Sequence, residues 1–175
     1  MRLTAEQFLA WPRRAVTLLG MSGVGKTTLA YKLPQSTWFH YSGDYRIGTK
    51  YLEEPILDNI KRQAMQVDFV CSPSRSVASW ISTFLGKVGA TTRGGLSLDE
   101  FKRRQRLHGQ AKVAAMKDVA DFIVKAKEIY GYDHFLNDAG GSLCELDDSG
   151  MLKVLADHTL ILYLRAGDDM EQELI

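Results

Sequence analysis

Short apolar runs near both ends of the chain flank a long stretch of helical periodicity. Ala15-Val16-Thr17-Leu18-Leu19 is apolar and partly β-branched and runs into a glycine-rich turn, the pattern of a strand buried on both faces. Comparable runs at 37–41, 134–138 and 159–164 predict three more strands. Before the first strand, Thr4 predicts the cap of a short helix that turns Phe8, Leu9 and Trp11 to the core and stops at Pro12. A helix over 26–33 ends at Pro34, and another is expected over 151–156.

Between about 47 and 130 the pattern is helical. Pro55 suits the first turn of a helix that carries Ile56, Leu57, Ile60 and Ala64 inward. Val77, Trp80, Ile81, Phe84 and Leu85 fall on one helical face, with Gly86 as the stop. Residues 89–95, rich in Gly and Thr, predict a mobile loop. Ser97 and Glu100 form a capping box for the next helix. Asp118 and Asp121 mark the start of another, which ends at Gly131. Strands alternating with helices imply parallel pairing with right-handed crossovers, hence a three-layer α/β/α sheet with ligands at the carboxyl ends of its strands.

Composition narrows this picture without redirecting it. A chain of 175 residues with 45% apolar and 25% charged residues suits one globular domain and excludes disorder, collagen and coiled coil. Twenty-two bases against 21 acids leave +1, so the whole chain has no field to recruit nucleic acid or an anionic membrane. Recognition of a polyanion must be local. No apolar run approaches the roughly 20 residues that span a bilayer, and residues 1–14 lack a signal-peptide core, so a cytoplasmic location is expected. Cys71 and Cys144 show no CxxC or Cys/His spacing and read as small buried hydrophobes. The four histidines are scattered without ligand spacing.

Local recognition has an obvious place. Gly20-Met21-Ser22-Gly23-Val24-Gly25-Lys26-Thr27-Thr28 follows the first strand and fits G-x-x-x-x-G-K-[ST]. Glycines let the backbone wrap a phosphate with its amides inward, and the helix N-terminus behind adds positive potential. Gly20, Ser22, Gly23, Val24, Gly25 and Thr28 are then cofactor-binding positions. Lys26 supplies a point charge for β and γ phosphates, and the Thr27 hydroxyl is a Mg2+ ligand.

This loop, with its flanking strand and helix, resembles the Walker A motif of P-loop NTPases, and the arrangement is most similar to their small-molecule and nucleoside kinase branch. The resemblance implies ATP and Mg2+ as cofactors and transfer of the γ-phosphoryl group to a small acceptor, anionic if the nearby arginines grip it. Ser42-Gly43-Asp44-Tyr45-Arg46 resembles the Gly-Asp segment of adenylylsulfate-type kinases, which makes Asp44 a catalytic candidate that takes or orients the acceptor hydroxyl. Asn137-Asp138-Ala139-Gly140-Gly141 resembles the Walker B strand end and glycine turn of shikimate-type kinases, which makes Asp138 a Mg2+ holder through water. Arg46, Arg93, Arg103, Gly140 and Gly141 are acceptor-binding candidates by the same resemblance. The kinase branch carries its acceptor site in a helical insertion, here expected over about 47–130. It also continues past the fourth strand into an arginine-bearing lid and a fifth strand, so this chain is expected to be truncated.

Other readings remain beside this one. Lys102, Arg103, Arg104 and Arg106 wrap around their helix, as solvated charge does, although one or two of them facing a cleft would contact a phosphorylated acceptor. Residues 20–30 also resemble the phosphate loop of NB-ARC (STAND) signalling ATPases, which implies a nucleotide-dependent switch. Those proteins end the later strand in consecutive aspartates, where this chain has Asn137-Asp138-Ala139-Gly140. No [NT]-K-x-D segment reads guanine. A nucleotide-binding protein without kinase activity is the third reading.

Overall fold

All five residues of one strand, β1 (Ala15–Leu19), are buried, so neighbours must cover it on both edges and both faces. The computed structural model describes residues 3–64, 77–140, 143, 145–165 and 167. Cys71, Cys144, Gly141 and the stretch 168–175 lie outside the described residues. β1 pairs in parallel with β3 (His134–Asp138) and β4 (Leu160–Tyr163), and β3 pairs in parallel with β2 (Trp38–Ser42). The strand order is β2-β3-β1-β4. Parallel neighbours need long connections, and helices fill each of them.

The chain divides into two compact units, residues 1–43 with 116–175, and residues 44–115. In the first, α1 (Ala5–Ala10) starts at the expected cap: Thr4 accepts from the Gln7 amide at 3.2 Å, and Gln7 reaches back to the Thr4 amide at 2.9 Å. α2 (Lys26–Lys32) follows β1. Strand alternation then sorts the residues. Val16, Leu18, Trp38 and Leu136 share one sheet face with Ala30 of α2, and Phe8, Leu33 and Leu164 pack on that cluster.

The opposite face is aromatic. Phe39 stacks on Phe135 at 5.8 Å and on Tyr130 at 5.5 Å, and Tyr41 meets Phe122 of α7 (Val119–Glu128) at 4.9 Å. Beside this cluster runs a buried polar chain. Thr159 donates to the Leu155 carbonyl of α8 (Ser149–His158) at 2.7 Å, so its oxygen accepts from Thr17 at 2.8 Å. Thr17 then accepts from the Asn137 amide at 3.2 Å. Each hydroxyl has one proton, so the first bond fixes the direction of the others.

The second unit holds most of α3 (Gly43–Arg46), a π-helical turn at Ile47–Tyr51, α4 (Glu53–Ala64), α5 (Val77–Leu85), a 3-10 turn at Thr91–Arg93 and most of α6 (Leu98–Lys117). Leu52 closes the π turn by donating to the Ile47 carbonyl at 2.8 Å. A Cβ at Gly48 would overlap Val77, so glycine allows α5 its close approach to that turn. Among the described residues no helix is long and apolar enough to cross a membrane.

Phe122 of α7 packs on Phe39 and Tyr41, and the second unit ends at Ala115. Three details depart from the sequence pattern. Asp118 does not cap α7: its backbone is itself helical, so its side chain makes no cap hydrogen bond. β2 takes in Ser42, one residue past its expected end, and the chain enters α3 directly at Gly43. The 89–95 loop is tied by its backbone, with Gly89 donating to Leu96 at 3.1 Å, Leu96 to Lys87 at 2.8 Å and Gly95 to Ala90 at 3.1 Å.

Candidate functional site

Everything expected at the carboxyl end of β1 depends on glycine backbone that other residues adopt only under strain. Gly20, Gly23 and Gly25 have φ of +146°, +84° and +92°. At Gly20 the reason is also steric, because a Cβ would stand 2.5 Å from the Leu164 carbonyl oxygen at the end of β4. Gly25 is different: a Cβ there would meet nothing within 4 Å, so only its left-handed backbone requires glycine. Gly25 is also the N-cap of α2 and offers no side chain to the first-turn amides. Ser22 and Gly23 are exposed, Val24 is half-buried, and Thr27 and Thr28 are exposed on the first turn of α2.

Lys26 is 5% exposed, and its ammonium is turned back into the loop. It donates to the Gly20 carbonyl at 2.8 Å and the Met21 carbonyl at 2.6 Å. Those carbonyls offset part of the cost of burying its charge and hold the loop around it.

The decisive contact joins the first turn of α2 to the end of β3. Thr27 Oγ1 donates to Asp138 Oδ2 at 2.9 Å, across 111 residues of sequence. It forms because β3 lies directly beside β1, with Asp138 in register with Leu18. The other carboxylate oxygen, Oδ1, accepts from the Gly140 amide at 3.2 Å, where Gly140 turns left-handed at φ +73°. Asp138 thus serves as a turn aspartate and as the partner of the loop hydroxyl.

The hydroxyl and carboxylate form a fitting donor set for Mg2+, which prefers one or two protein oxygens and keeps several waters. Among the described residues no group of three His, Cys, Asp or Glu side chains gathers to make an all-protein metal cage. The glycine backbone and buried ammonium likewise fit a phosphate chain, by charge and by donor type.

His40, which the sequence did not mark, lies on the same sheet face as Asp138. Burial lowers its pKa and the nearby Asp138 charge opposes that shift. Its Nε2 is buried without a hydrogen-bond partner among the described residues.

The remaining candidates fall in the second unit. Asp44 and Arg46 sit on α3, and the Arg46 guanidinium lies 5.9 Å from the Tyr51 ring centre. Arg93 is exposed on the 3-10 turn. Arg103 is engaged on its own helix, donating twice to Glu100 at 2.7 and 2.9 Å. Its neighbour Arg104 contradicts the solvated reading, being only 6% exposed.

The chain matches no protein-family model, no curated protein and no solved structure.

Proposed function

We propose that this chain is a nucleotide-binding protein of the P-loop NTPase type, with a three-layer α/β/α core that binds Mg-ATP at residues 20–28. Its activity is transfer of the γ-phosphoryl group to a small acceptor. The observation that carries the reading is the 2.9 Å bond from Thr27 to Asp138. A loop motif alone is a short pattern. A loop hydroxyl brought onto an acid at the end of the adjacent strand adds the second half of a Mg2+-nucleotide site.

The residues divide the work by their chemistry. The amides of residues 20–28 orient the phosphates, and Lys26 exchanges its two carbonyl partners for phosphate oxygens. Thr27 and Asp138 hold Mg2+, Asp138 through water. Bound Mg2+ supplies neutralisation of charge on the transferring group. Asp44 accepts or orients the proton of the acceptor hydroxyl, and Arg46 offers charge to an anionic acceptor. Once Lys26 has made that exchange, its ammonium offsets charge as it develops on the transferring group.

The test is titration calorimetry of the full chain with Mg-ATP, Mg-ADP and Mg-GTP, followed by incubation with a pool of small metabolites. Phosphorylated product and acceptor-dependent ADP release, both lost in Lys26→Ala of unchanged circular dichroism, are expected. Absence of binding to all three nucleotides would sink the proposal. ADP release indifferent to every acceptor would leave nucleotide binding standing and remove the kinase assignment.

A further inference from the structure

The second unit contains a cavity of about 240 Å3, between one face of α4, the end of α5 and the start of α6. Arg104 stands in its wall, 6% exposed, and its environment fixes the guanidinium on three sides. Nε donates to Glu100 at 2.7 Å. Nη1 donates to Asn59 Oδ1 at 3.1 Å and to the Phe84 carbonyl, using both of its hydrogens. The Phe84 ring lies 5.1 Å from Cζ. A guanidinium has five N–H donors, so two remain on Nη2. Among the described residues those two have no acceptor, and Nη2 is not one of the buried unpartnered atoms, so this edge of an otherwise buried side chain still reaches solvent.

The α4 wall has the opposite deficit. Glu54 and Asp58 both line the cavity, one helical turn apart. Neither forms an ion pair or side-chain hydrogen bond among the described residues. Like charges at i and i+4 disfavour each other on a helix, so the pair is an arrangement that a cation would relieve. Arg103, which also lines the cavity, is committed to Glu100 by two hydrogen bonds. Hydrogen bonds from Arg103 and Arg104 in turn pull the Glu100 carboxyl down to about 2, so it stays charged and keeps both arginines oriented.

The cavity therefore offers a fixed acceptor-seeking edge on one side and, on another, two carboxylates that no described residue pairs. We propose that it is a binding site for a small zwitterion, with a carboxylate on Arg104 Nη2 and an ammonium between Glu54 and Asp58. At about 240 Å3 it falls below the roughly 300–1,000 Å3 of drug-sized pockets, which limits the ligand to on the order of ten non-hydrogen atoms. A nucleotide is too large. Inorganic phosphate would satisfy Arg104 and be repelled by the carboxylates. A bare divalent ion would find only two carboxylates and an adjacent guanidinium. An ω-amino acid satisfies both walls.

This site stands independently of the nucleotide reading, so it is tested on nucleotide-free full chain. Calorimetric titration uses 4-aminobutyrate and 6-aminohexanoate as probes, with hexanoate and hexylamine as one-ended controls. Saturable binding of at least one amino acid, at least 10-fold tighter than either control, is expected. The double variant Glu54→Gln, Asp58→Asn should weaken it 10-fold or more. Both changes are at exposed positions, so thermal melting should stay equal to or above that of the wild type. No amino-acid binding below about 10 mM, hexylamine or hexanoate binding as tightly as the zwitterion, or a double variant with undiminished affinity would each overturn the proposal.

Discussion

Two glycines of the 20–28 loop separate backbone strain from occupied space, and alanine at each gives a quantitative test. Gly25 has φ +92° and no heavy atom within 4 Å of where a Cβ would stand, so Gly25→Ala costs only left-handed strain, about 1–2 kcal/mol. The lower entropy of the unfolded chain returns about 0.4–1 kcal/mol. The net loss should be about 1 kcal/mol. Gly20→Ala meets the same kind of strain at φ +146° and also places Cβ 2.5 Å from the Leu164 carbonyl oxygen. That atom cannot swing away like a side chain, because the Leu164 amide is bonded to Leu19 at 2.8 Å and ties β4 to β1. Overpacking of this kind adds about 1–3 kcal/mol, so Gly20→Ala should lose clearly more than Gly25→Ala. Urea unfolding with linear extrapolation measures both losses. The open space at Gly25 is where the proposed function puts phosphate oxygens, so Gly25→Ala should also weaken Mg-ADP at least 10-fold in calorimetry. Equal destabilisation by the two variants would refute the steric argument at Leu164. Wild-type affinity in Gly25→Ala would refute the use of that space for phosphate.

Burial, aided by the Lys112 charge one turn away, pushes the His108 imidazole down to about 4, so the folded chain keeps it neutral. The unfolded chain binds a proton there below about 6.5, so stability should fall as pH drops from about 6.5 to about 4 and then level off. Discounted for partial solvent access, the loss is about 2 kcal/mol; denaturation midpoints of the wild type and His108→Gln should converge across that window, and a constant gap would contradict it. Thr17→Val removes the acceptor of the Asn137 amide and the donor to Thr159, for a loss of about 1–3 kcal/mol. Adding Asn137→Leu should recover part of that loss, since removing both partners costs less than orphaning one; a double variant weaker than the sum of its singles would argue against it. Gly48→Ala should destabilise the second unit by about 1–3 kcal/mol, because its Cβ overlaps Val77, and hydrogen exchange should show the loosening in α5.

The strands were legible as short, largely apolar runs, although only β1 is buried throughout and β4 is half-buried to exposed. β1 and β3 fall on their expected residues, and β2 and β4 shift by a residue at their ends. Caps that depend on one side chain and a neighbouring amide were legible too, at Thr4 and at Ser97, which accepts from Glu100 at 3.3 Å. Asp118 failed as a cap for a reason no local pattern holds. α6 and α7 meet across a single residue in helical conformation, so the first-turn amides of α7 face the preceding turn instead of an extended cap. That α7 packs on the sheet was no more legible, since α7 looks like its helical neighbours in sequence and only the contacts of Phe122 with Phe39 and Tyr41 reveal it.

The candidate site shows the same contrast at the level of charge. Thr27 and Asp138 were each named from a motif that follows a recognisable strand, Asp138 through its resemblance to a Walker B strand end, and the parallel pairing of β1 with β3 is what brings them together. Arg103 and Arg104 could not be told apart that way. They are adjacent, alike, and bonded to the same glutamate, yet one side chain is 53% exposed and the other 8%. The difference comes from Asn59 and the Phe84 carbonyl, 45 and 20 residues distant, which supply acceptors at one position and not at the next. A run of bases reads as a solvated face only if no distant acceptor claims one of them. Where one does, its burial costs free energy that solvent no longer offsets, and a guanidinium with unused donors beside a cavity is then a better guide to ligand chemistry than the charge count around it.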